Sequence, residues 1–355
     1  MSDIDDLVFC SDDEPGIQRL GQKRFRYVDQ ATGAPVRHRR TLERIRALAV
    51  PPAWRQVWIC PLPNGHLQAT GRDDRERKQY RYHAEFRRRR EAEKFADLVP
   101  FGEALGPLRA AIEDDLALPG WSQDRVVALT IALLDGTALR IGNEQYARDN
   151  GTFGLTTLRN RHAIVDGHGA RLKFVGKHDH RYDLAVEDPV LARLVRRCRQ
   201  LPGQLLLQWI DDDGEPRPIR SNDVNDRLRT ITGLDVTAKA FRTWAASVQA
   251  ARLLADAEPP ASERAARSTV LAAVDEVADV LGNTRAVCRA SYVHPAIPAA
   301  YASGQLADWW RDGPTRAAAR LAADERRLLG VLRRARRAGL VVAPATVGRR
   351  LPRAG

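Results

Sequence analysis

The chain has 355 residues and a formal net charge of +12. This length allows two domains, and the charge favours a polyanionic partner. No stretch reaches the roughly 18 apolar residues that a membrane span needs, and the acidic residues 1–13 carry no signal-peptide pattern. The four cysteines form no C-x-x-C pair, which argues against a zinc ribbon. We therefore expect a cytoplasmic protein.

The first part of the chain predicts a small strand-rich domain. Residues 25–28 and 56–60 have strand-like patterns, and residues 41–49 predict a short helix that ends before Pro51 and Pro52. A basic stretch follows at residues 72–90. After about residue 96 the pattern becomes helical, so we place the domain boundary there.

The second part predicts mostly helices around one small sheet. Residues 163–165, 172–175 and 182–186 predict three strands, with Lys177 on the turn between the last two. Arg140 would end one helix, just before Gly142. Further helices are predicted at residues 124–140, 222–230, 237–257 and 262–281.

The end of the chain predicts two more helical segments. Asn283 can cap a short helix that runs toward Tyr292. The Ala/Arg-rich segment from Pro314 predicts a helix up to Gly339, followed by a loose end. This basic helix would either bind DNA non-specifically or be solvated.

Common enzyme motifs are missing from the sequence. It contains no G-x-x-x-x-G-K-[ST] phosphate loop, so we expect no nucleotide cofactor, and neither H-E-x-x-H nor G-x-S-x-G occurs. His178, His180 and Asp183 could ligate a metal, but a solvated hairpin turn fits them better because no further ligand cluster accompanies them. We therefore expect neither a metal nor another cofactor.

Cutting DNA without a metal requires a particular set of side chains. Arginines can stabilise the charge that develops on the phosphate, and a lysine can give its proton to the leaving oxygen. A tyrosine can keep the bond energy in a covalent ester. Only six of the 57 basic residues are lysines, so each lysine in a specific context is informative.

Five segments, in order along residues 20–305, resemble the motifs of the bacterial and poxvirus-type family of type IB DNA topoisomerases. Arg140-Ile-Gly-Asn-Glu-Gln-Tyr146 is similar to the family's first arginine motif. The others are Thr70–His83 for a DNA-contacting segment, Phe174-Val-Gly-Lys177 for the lysine hairpin, Thr237–Trp244 for the second arginine motif and Asn283–Pro295 for the tyrosine motif.

The resemblance implies specific roles for these residues. Arg140 and Arg242 would clamp the scissile phosphate, Lys177 would be the general acid, and Tyr292 would form the 3′-phosphotyrosyl bond. Asn283 stands where the poxvirus enzymes have a histidine, so it would either donate an N–H to a phosphate oxygen or only cap a helix. The implied DNA contacts are Arg72, Arg77, Lys78, Gln79, Tyr80 and Tyr82.

Some residues depart from the pattern or compete with it. Glu76 stands where the family usually has glycine, which would place a carboxylate near DNA. Tyr146 and Tyr301 lack the Cys-Arg-Ala-Ser sequence that precedes Tyr292, and we expect Tyr146 to pack locally. Each of the cationic residues, taken alone, would be an ordinary surface or helix-end residue.

We therefore predict an α+β fold like that of type IB topoisomerases and tyrosine recombinases. Its parts are an N-terminal domain at 1–96, a catalytic domain at 97–312 and a basic tail at 313–355. The two domains would close around duplex DNA as a clamp, and a monomer associated with the nucleoid would relax supercoils. The alternatives are a tyrosine recombinase, disfavoured because Ala240 stands where recombinases have a histidine, and a non-catalytic DNA-binding protein.

Overall fold

The computed structural model describes residues 7–21, 24–74, 76–166 and 169–340, without the side chains of residues 89–94. The chain divides into two compact units, Met1–Lys94 and Phe95–Gly355. The first contains an antiparallel sheet, and the second is mostly helical with a small three-stranded sheet. The predicted fold class is confirmed.

The first unit is built on a five-stranded antiparallel sheet with the order β2-β1-β3-β4-β5. Ile45 on the first helix packs with Ile17, Val57 and Ile59 of the sheet, and together they form the core. The elements are β1 Ile17–Leu20, β2 Arg26–Asp29, α1 Arg39–Ala47, β3 Arg55–Ile59, β4 Leu67–Arg72 and β5 Lys78–Tyr82. Helix α2, Ala84–Ala96, runs across the boundary between the units.

The second unit surrounds one large apolar core. Its helices are α3 Leu98–Leu116, α4 Gln123–Thr137, α5 Glu144–Asn150, α6 Pro189–Cys198, α7 Ser221–Thr232, α8 Lys239–Ala255, α9 Glu263–Leu281, α10 Arg285–Ser291, α11 Ala296–Ala302, α12 Leu306–Arg311 and α13 Ala323–Arg337. The three-stranded antiparallel sheet contains β6 Ala163–Asp166, β7 Gly169–Val175 and β8 Arg181–Val186. An additional two-stranded sheet, β9 Gln208–Ile210 with β10 Pro216–Pro218, was not predicted from the sequence.

The end of α4 differs from the prediction. The helix stops at Thr137, and Ala138 adopts a left-handed conformation with φ of 51°. Leu139 and Arg140 therefore lie beyond the helix, where the Arg140 and Ile141 carbonyls accept hydrogen bonds from residues 155 and 156. Arg140 is thus held by an extended segment and is not the C-terminal cation of a helix.

Helix α13 lies in the part of the chain that the sequence sets apart as a tail. Its apolar side, which includes Leu328, Val331, Leu332 and Ala335, is buried in the core of the second unit. The helix packs against α3, α8, α11 and α12. The segment up to residue 340 is therefore part of this unit because its leucines and valine recur at helical spacing and bury one face. Residues 341–355 lie outside the described residues.

No helix in the described residues is long and apolar enough to cross a membrane.

Candidate active site

Four of the five residues predicted to be catalytic line one cavity in the second unit, and the fifth, Asn283, is not among its lining residues. Arg140, Lys177, Arg242 and Tyr292 surround a half-open space of about 280 Å³. The other lining residues are Ile141, Gly142, Asn143, Tyr146, Thr152, Phe153, Gly154, Ala238 and Lys239. Residues that are far apart in the sequence are thus brought to one surface that a phosphate can reach.

Two glycines let the segment with Arg140 approach its neighbour closely. Gly142 has φ of +106°, and a Cβ on Gly154 would lie 2.6 Å from the Gly142 Cα. The backbone N–H of Leu155 donates to the Arg140 carbonyl at 2.9 Å. Any side chain at these glycines would force the segments apart, so the Arg-x-Gly spacing has a structural cause.

The Arg140 guanidinium is held by neutral acceptors. Its Nη1 donates to the Tyr182 hydroxyl at 3.1 Å, and its Nη2 donates to the Gly282 carbonyl at 3.1 Å and to Asn283 Oδ1. Burial, and after it the positive charge of Arg242, lowers the pKa of Arg140 from its usual value. In the part of the chain that the structure describes, no carboxylate pairs with either cation, so an anion bound beside them would stabilise both.

Arg242 is held in the same way but is more deeply buried, with 3% of its surface exposed. Its Nη1 donates to the Ala138 carbonyl at 2.5 Å, and its Nη2 donates to the Leu281 carbonyl at 2.7 Å. The left-handed turn at Ala138 and the end of α9 at Leu281 therefore fix this side chain. Both acceptors are neutral carbonyl oxygens, so they orient the guanidinium without pairing it with a carboxylate.

Lys177 is exposed on the turn between β7 and β8. The next two residues, His178 and Asp179, have φ of 62° and 58°, so the turn uses left-handed backbone at two positions that are not glycine. Tyr182 on β8 holds the hairpin to the rest of the site, since its hydroxyl donates to Leu281 O at 3.1 Å and accepts from Arg140. The hydrogen bonds of Tyr182 thus hold the predicted lysine hairpin beside the cavity.

Tyr292 follows α10 directly and is 9% exposed. Its carbonyl accepts a hydrogen bond from Ser247 Oγ at 3.1 Å, which ties its backbone to α8, the helix that carries Arg242. The Arg242 Cζ lies 5.1 Å from the centroid of the tyrosine ring. The predicted nucleophile is therefore placed beside a predicted phosphate clamp.

Asn283 does not cap α10. The N-cap is Thr284, whose hydroxyl accepts from the Val287 N–H. Asn283 lies one residue earlier and uses its Oδ1 to accept from Arg140. Within the described residues, its buried Nδ2 has no hydrogen-bond partner. The interpretation of this asparagine as a simple helix cap is therefore wrong.

Among the lining residues that were not assigned to the site from the sequence, Tyr146 and Lys239 have ionisable side chains. Tyr146 is 40% exposed at the cavity, although local packing was expected. The Lys239 Nζ lies 5.5 Å from the centroid of the Tyr292 ring. The scarcity of lysines, together with the position of Lys239 inside the Thr237–Trp244 motif, is a signal that could have identified it.

The residues weighed as metal ligands have other contacts. Asp183 pairs with Arg171 at 2.7 Å and with Lys173 at 3.6 Å, and the His180 ring contacts Tyr182 edge-on. Across the described ranges, no group of three or more His, Cys, Asp and Glu side chains is arranged to hold a metal ion.

The predicted DNA-contacting residues lie around the edge strand β5 in the first unit. Lys78, Tyr80 and Tyr82 alternate along it as exposed residues, and the two tyrosine rings are stacked with centroids 6.0 Å apart. The neighbouring groups are already engaged: Arg77 and Gln79 bind the Asp73 carboxylate at 2.7 and 2.9 Å. Of the predicted DNA contacts on β5, Lys78, Tyr80 and Tyr82 thus share one exposed face.

The remaining predicted contact, Arg72, lies on β4 beside the turn into β5. Its guanidinium donates to Gln56 Oε1 at 3.1 Å and to the Glu76 carbonyl at 2.8 Å. Glu76 itself has φ of 56° and its carboxylate lies 3.8 Å from Arg55. The left-handed conformation gives a physical reason why glycine suits this position.

An acidic residue from the N-terminal segment pairs with the same strand. Asp12 accepts from Lys78 Nζ at 2.8 Å and from the Thr70 hydroxyl at 2.8 Å. Burial raises the pKa of Asp12, but the hydrogen bonds from Lys78 and Thr70 outweigh it, so the pKa is lowered overall. Lys78 therefore already forms an ion pair with a carboxylate of its own chain.

Comparison with known proteins agrees with this geometry. Residues 83–302 match the family of the eukaryotic DNA topoisomerase I catalytic core, and residues 24–73 match the N-terminal domain of bacterial DNA topoisomerase IB. DNA topoisomerase 1B of Acanthamoeba polyphaga mimivirus is 32% identical over 259 residues, which cover 71% of this chain and 77% of the viral protein. The chain belongs to the type IB DNA topoisomerase family.

More distant type IB relatives match with lower identity. DNA topoisomerase 1B of vaccinia virus (strain Copenhagen) is 20% identical over 69% of this chain and 74% of its own length. DNA topoisomerase 1 of Mycosarcoma maydis is 28% identical over 42% of this chain and 17% of its own length. Membership makes the protein an isomerase that acts on DNA. The catalytic-core match contains the whole lining of the cavity but ends before α12 and α13.

Proposed function

We propose that this topoisomerase relaxes supercoiled duplex DNA by cutting one strand through a 3′-phosphotyrosyl intermediate on Tyr292, allowing rotation and resealing the strand. The observation that carries the proposal is the convergence of Tyr292, Arg140, Arg242 and Lys177 on one half-open cavity. A nucleophile, two fixed cations and a proton donor are the groups that this transesterification needs.

In the cleavage step, the Tyr292 oxygen attacks the scissile phosphorus and the bond from phosphorus to the 5′ oxygen breaks. The tyrosine proton passes to solvent, and Lys177 gives a proton to the departing 5′ oxygen. Lys177 suits this role because its turn is exposed and can exchange protons with water. Religation is the reverse: the 5′ hydroxyl attacks the phosphotyrosine, Lys177 accepts the proton and Tyr292 is released.

Arg140 and Arg242 would stabilise the negative charge on the non-bridging oxygens. Their contacts to carbonyl, hydroxyl and amide oxygens fix the guanidinium groups without cancelling their charge. We also assign Asn283 a role as a neutral donor, because its buried Nδ2 has no partner within the described residues and Oδ1 holds Arg140. Removing one such donor can slow catalysis about 100- to 1,000-fold.

We infer that neither ATP nor a metal ion is required. The phosphotyrosyl ester keeps the energy of the broken bond, so no nucleotide is needed to reseal the strand. Superhelical strain drives rotation. Guanidinium and ammonium groups of this chain would supply the positive charge and the proton that a metal and its bound water could otherwise supply.

We further propose that the N-terminal and catalytic domains clamp the duplex. The proposed contacts in the N-terminal domain are Arg72, Arg77, Lys78, Gln79, Tyr80 and Tyr82. All of the proposed catalytic groups come from one unit of one chain, which supports action as a monomer. Association with the nucleoid would follow from binding to duplex DNA. A recombinase would need partner protomers and paired sites.

The deciding experiment is relaxation of a negatively supercoiled plasmid in EDTA without nucleotide. We expect a ladder of partly relaxed circles. A 5′-labelled strand should also become covalently attached to the protein, because the tyrosine holds the 3′ phosphate. Relaxation only after Mg²⁺ or ATP is added, a label retained from the 3′ end, or joined products from paired sites would each contradict the proposal.

A further inference from the structure

A buried ionic network lies outside the cavity, among α3, α4 and α13. Arg109 on α3 binds the Asp135 carboxylate of α4 at 2.7 and 2.9 Å. The same guanidinium binds the Glu325 carboxylate of α13 through two hydrogen bonds of 2.8 Å. The three side chains are only 11–24% exposed, so water screens these charges poorly.

Glu325 also holds the helix that carries Arg242. Its Oε1 accepts from the Trp244 indole N–H at 2.9 Å, and its Oε2 accepts from the Ala322 N–H at 2.8 Å. Burial raises the pKa of Glu325, but Arg109 outweighs it, so the pKa is lowered overall and the carboxylate stays charged.

The Trp244 ring is tightly confined. A Cβ on Gly102 of α3 would lie 2.3 Å from the ring and 3.0 Å from the Leu329 side chain of α13. Phe101 packs edge-on at a centroid distance of 6.3 Å. A shift of α13 or α3 must therefore displace Trp244 and, with it, α8.

The network is close in sequence to both arginines of the cavity. Trp244 is two residues after Arg242, and Asp135 is three residues before Ala138, whose carbonyl binds Arg242. Arg140 follows Ala138 by two residues. Through Arg109, the Glu325 carboxylate on α13 therefore links α4, the helix that precedes Arg140, to the helix that holds Arg242.

We propose that Glu325 is a positioning residue for transesterification, and that α13 sets the distance between the two arginines of the active site. The inference rests on the proposed clamp role of Arg140 and Arg242. It assigns a catalytic contribution to a helix outside the residues 83–302 that match the catalytic-core family. Misplacement of a catalytic group by about 1 Å can cost about 100-fold in rate.

Three of the six arginines of α13 fit this supporting role better than a DNA-binding role. Arg333 pairs with Glu103 at 2.5 Å, Arg334 with Asp312 at 3.2 Å and Arg327 with Asp324 at 3.2 Å. The charge of these side chains is thus directed toward carboxylates of the same unit. The basic composition of the segment, taken alone, suggested a nucleic-acid contact.

The test compares Glu325→Gln with Glu103→Gln. Both variants neutralise a carboxylate in an ion pair between α3 and α13, but Glu103 is exposed and exposed pairs contribute little. Single-turnover cleavage is measured on two oligonucleotide duplexes, one with a normal scissile phosphodiester and one with a neutral methylphosphonate there. The neutral group gains less from the two guanidinium groups, so it reports their placement.

We expect Glu325→Gln to slow cleavage of the phosphodiester about 10- to 100-fold, with a clearly smaller loss on the methylphosphonate and unchanged duplex affinity. Glu103→Gln should cleave both substrates like the parent. Equal losses on both substrates would mean that only the amount of folded enzyme had changed, and would overturn the proposal. Normal cleavage of the phosphodiester would overturn it as well.

If Glu325→Gln does not fold, a second variant can test the same proposal. Trp244→Phe removes the indole N–H that donates to Glu325 and should give the same selective loss on the phosphodiester. Arg140→Ala and Arg242→Ala separate the two hypotheses. If both cleave normally, the proposed clamp is wrong. If both are slow while Glu325→Gln and Trp244→Phe are normal, only the positioning inference fails.

Discussion

The cavity in the second unit and the edge strand β5 in the first unit hold their cations in opposite ways. In the cavity, the guanidinium groups of Arg140 and Arg242 bind carbonyl, hydroxyl and amide oxygens. On β5, Lys78 is bound by the Asp12 carboxylate, and Arg77, just before the strand, is bound by Asp73.

This difference decides how much charge each region can offer to DNA. Neutral acceptors orient a cation and leave its charge for a phosphate, whereas a carboxylate must be displaced before the cation can pair elsewhere. We therefore expect the cavity to control the rate of cleavage, and β5 to tune affinity and its dependence on salt.

Tyr292→Phe should abolish relaxation and leave duplex binding nearly unchanged. The substitution removes the proposed nucleophile and keeps the ring, while the backbone carbonyl can still accept from Ser247. The measurements are plasmid relaxation and duplex binding by anisotropy. Tyr301→Phe is the control, since that buried hydroxyl bonds the Glu258 carbonyl outside the cavity. A covalent DNA adduct on another residue of the parent protein would refute the assignment.

Lys177→Ala should slow cleavage about 100- to 10,000-fold, because the 5′ oxygen then leaves without a proton. A substrate with sulfur at the bridging 5′ position has a better leaving group and should largely restore the rate. Lys173→Ala is the matched control, since this neighbouring lysine on β7 pairs with Asp183 and does not line the cavity. If sulfur gives the Lys177→Ala variant no relative recovery, Lys177 is not the proton donor.

Asn283→Asp would pair Arg140 with a carboxylate, as Lys78 on β5 is paired with Asp12. We expect cleavage to fall about 10- to 100-fold, because the new charge neutralises the arginine and repels the phosphate. Thr284→Ala is the control: it removes the observed cap and should cost about 1 kcal/mol of stability without changing the cleavage rate of the folded protein. Near-normal single-turnover cleavage by Asn283→Asp would remove this residue from the proposed site.

Asp12→Asn makes the opposite change in the first unit, because it releases Lys78 from its carboxylate. Duplex affinity should rise a few-fold at low salt, and the slope of log affinity against log salt should steepen by about one ion. Asp13→Asn is the control, since that carboxylate binds Ser11. An unchanged salt slope with Asp12→Asn would show that Lys78 does not contact a phosphate. Single-turnover cleavage at saturating enzyme should not change.

Several features could be predicted from the sequence because they depend on local spacing. A helix was expected at residues 262–281, and α9 occupies this range with Ser262 as its N-cap and Gly282 as its C-cap. The three strands around Lys177 were also expected, since alternation and turn residues encode them within a few positions. The ordered motifs likewise selected the residues that converge on the cavity.

The residues that were misinterpreted have partners far away in the chain. Asparagine is a residue type that often caps helices, but Asn283 binds Arg140, which is 143 positions away. The arginines of α13 have the composition of a solvated or DNA-binding tail, yet the apolar face of the helix is buried and Glu325 binds Arg109 across 216 positions. Residue type and spacing carry no information about such partners.

The family and the class of fold could thus be read from the sequence, as could the candidate side chains for the site. The acceptor that holds each cation depends instead on how the chain folds: it is a carbonyl for Arg242, an amide for Arg140 and a carboxylate for Lys78. The physical reason is that periodicity fixes which face of an element is apolar, whereas the electrostatic environment of a charge depends on whatever other segment packs beside it.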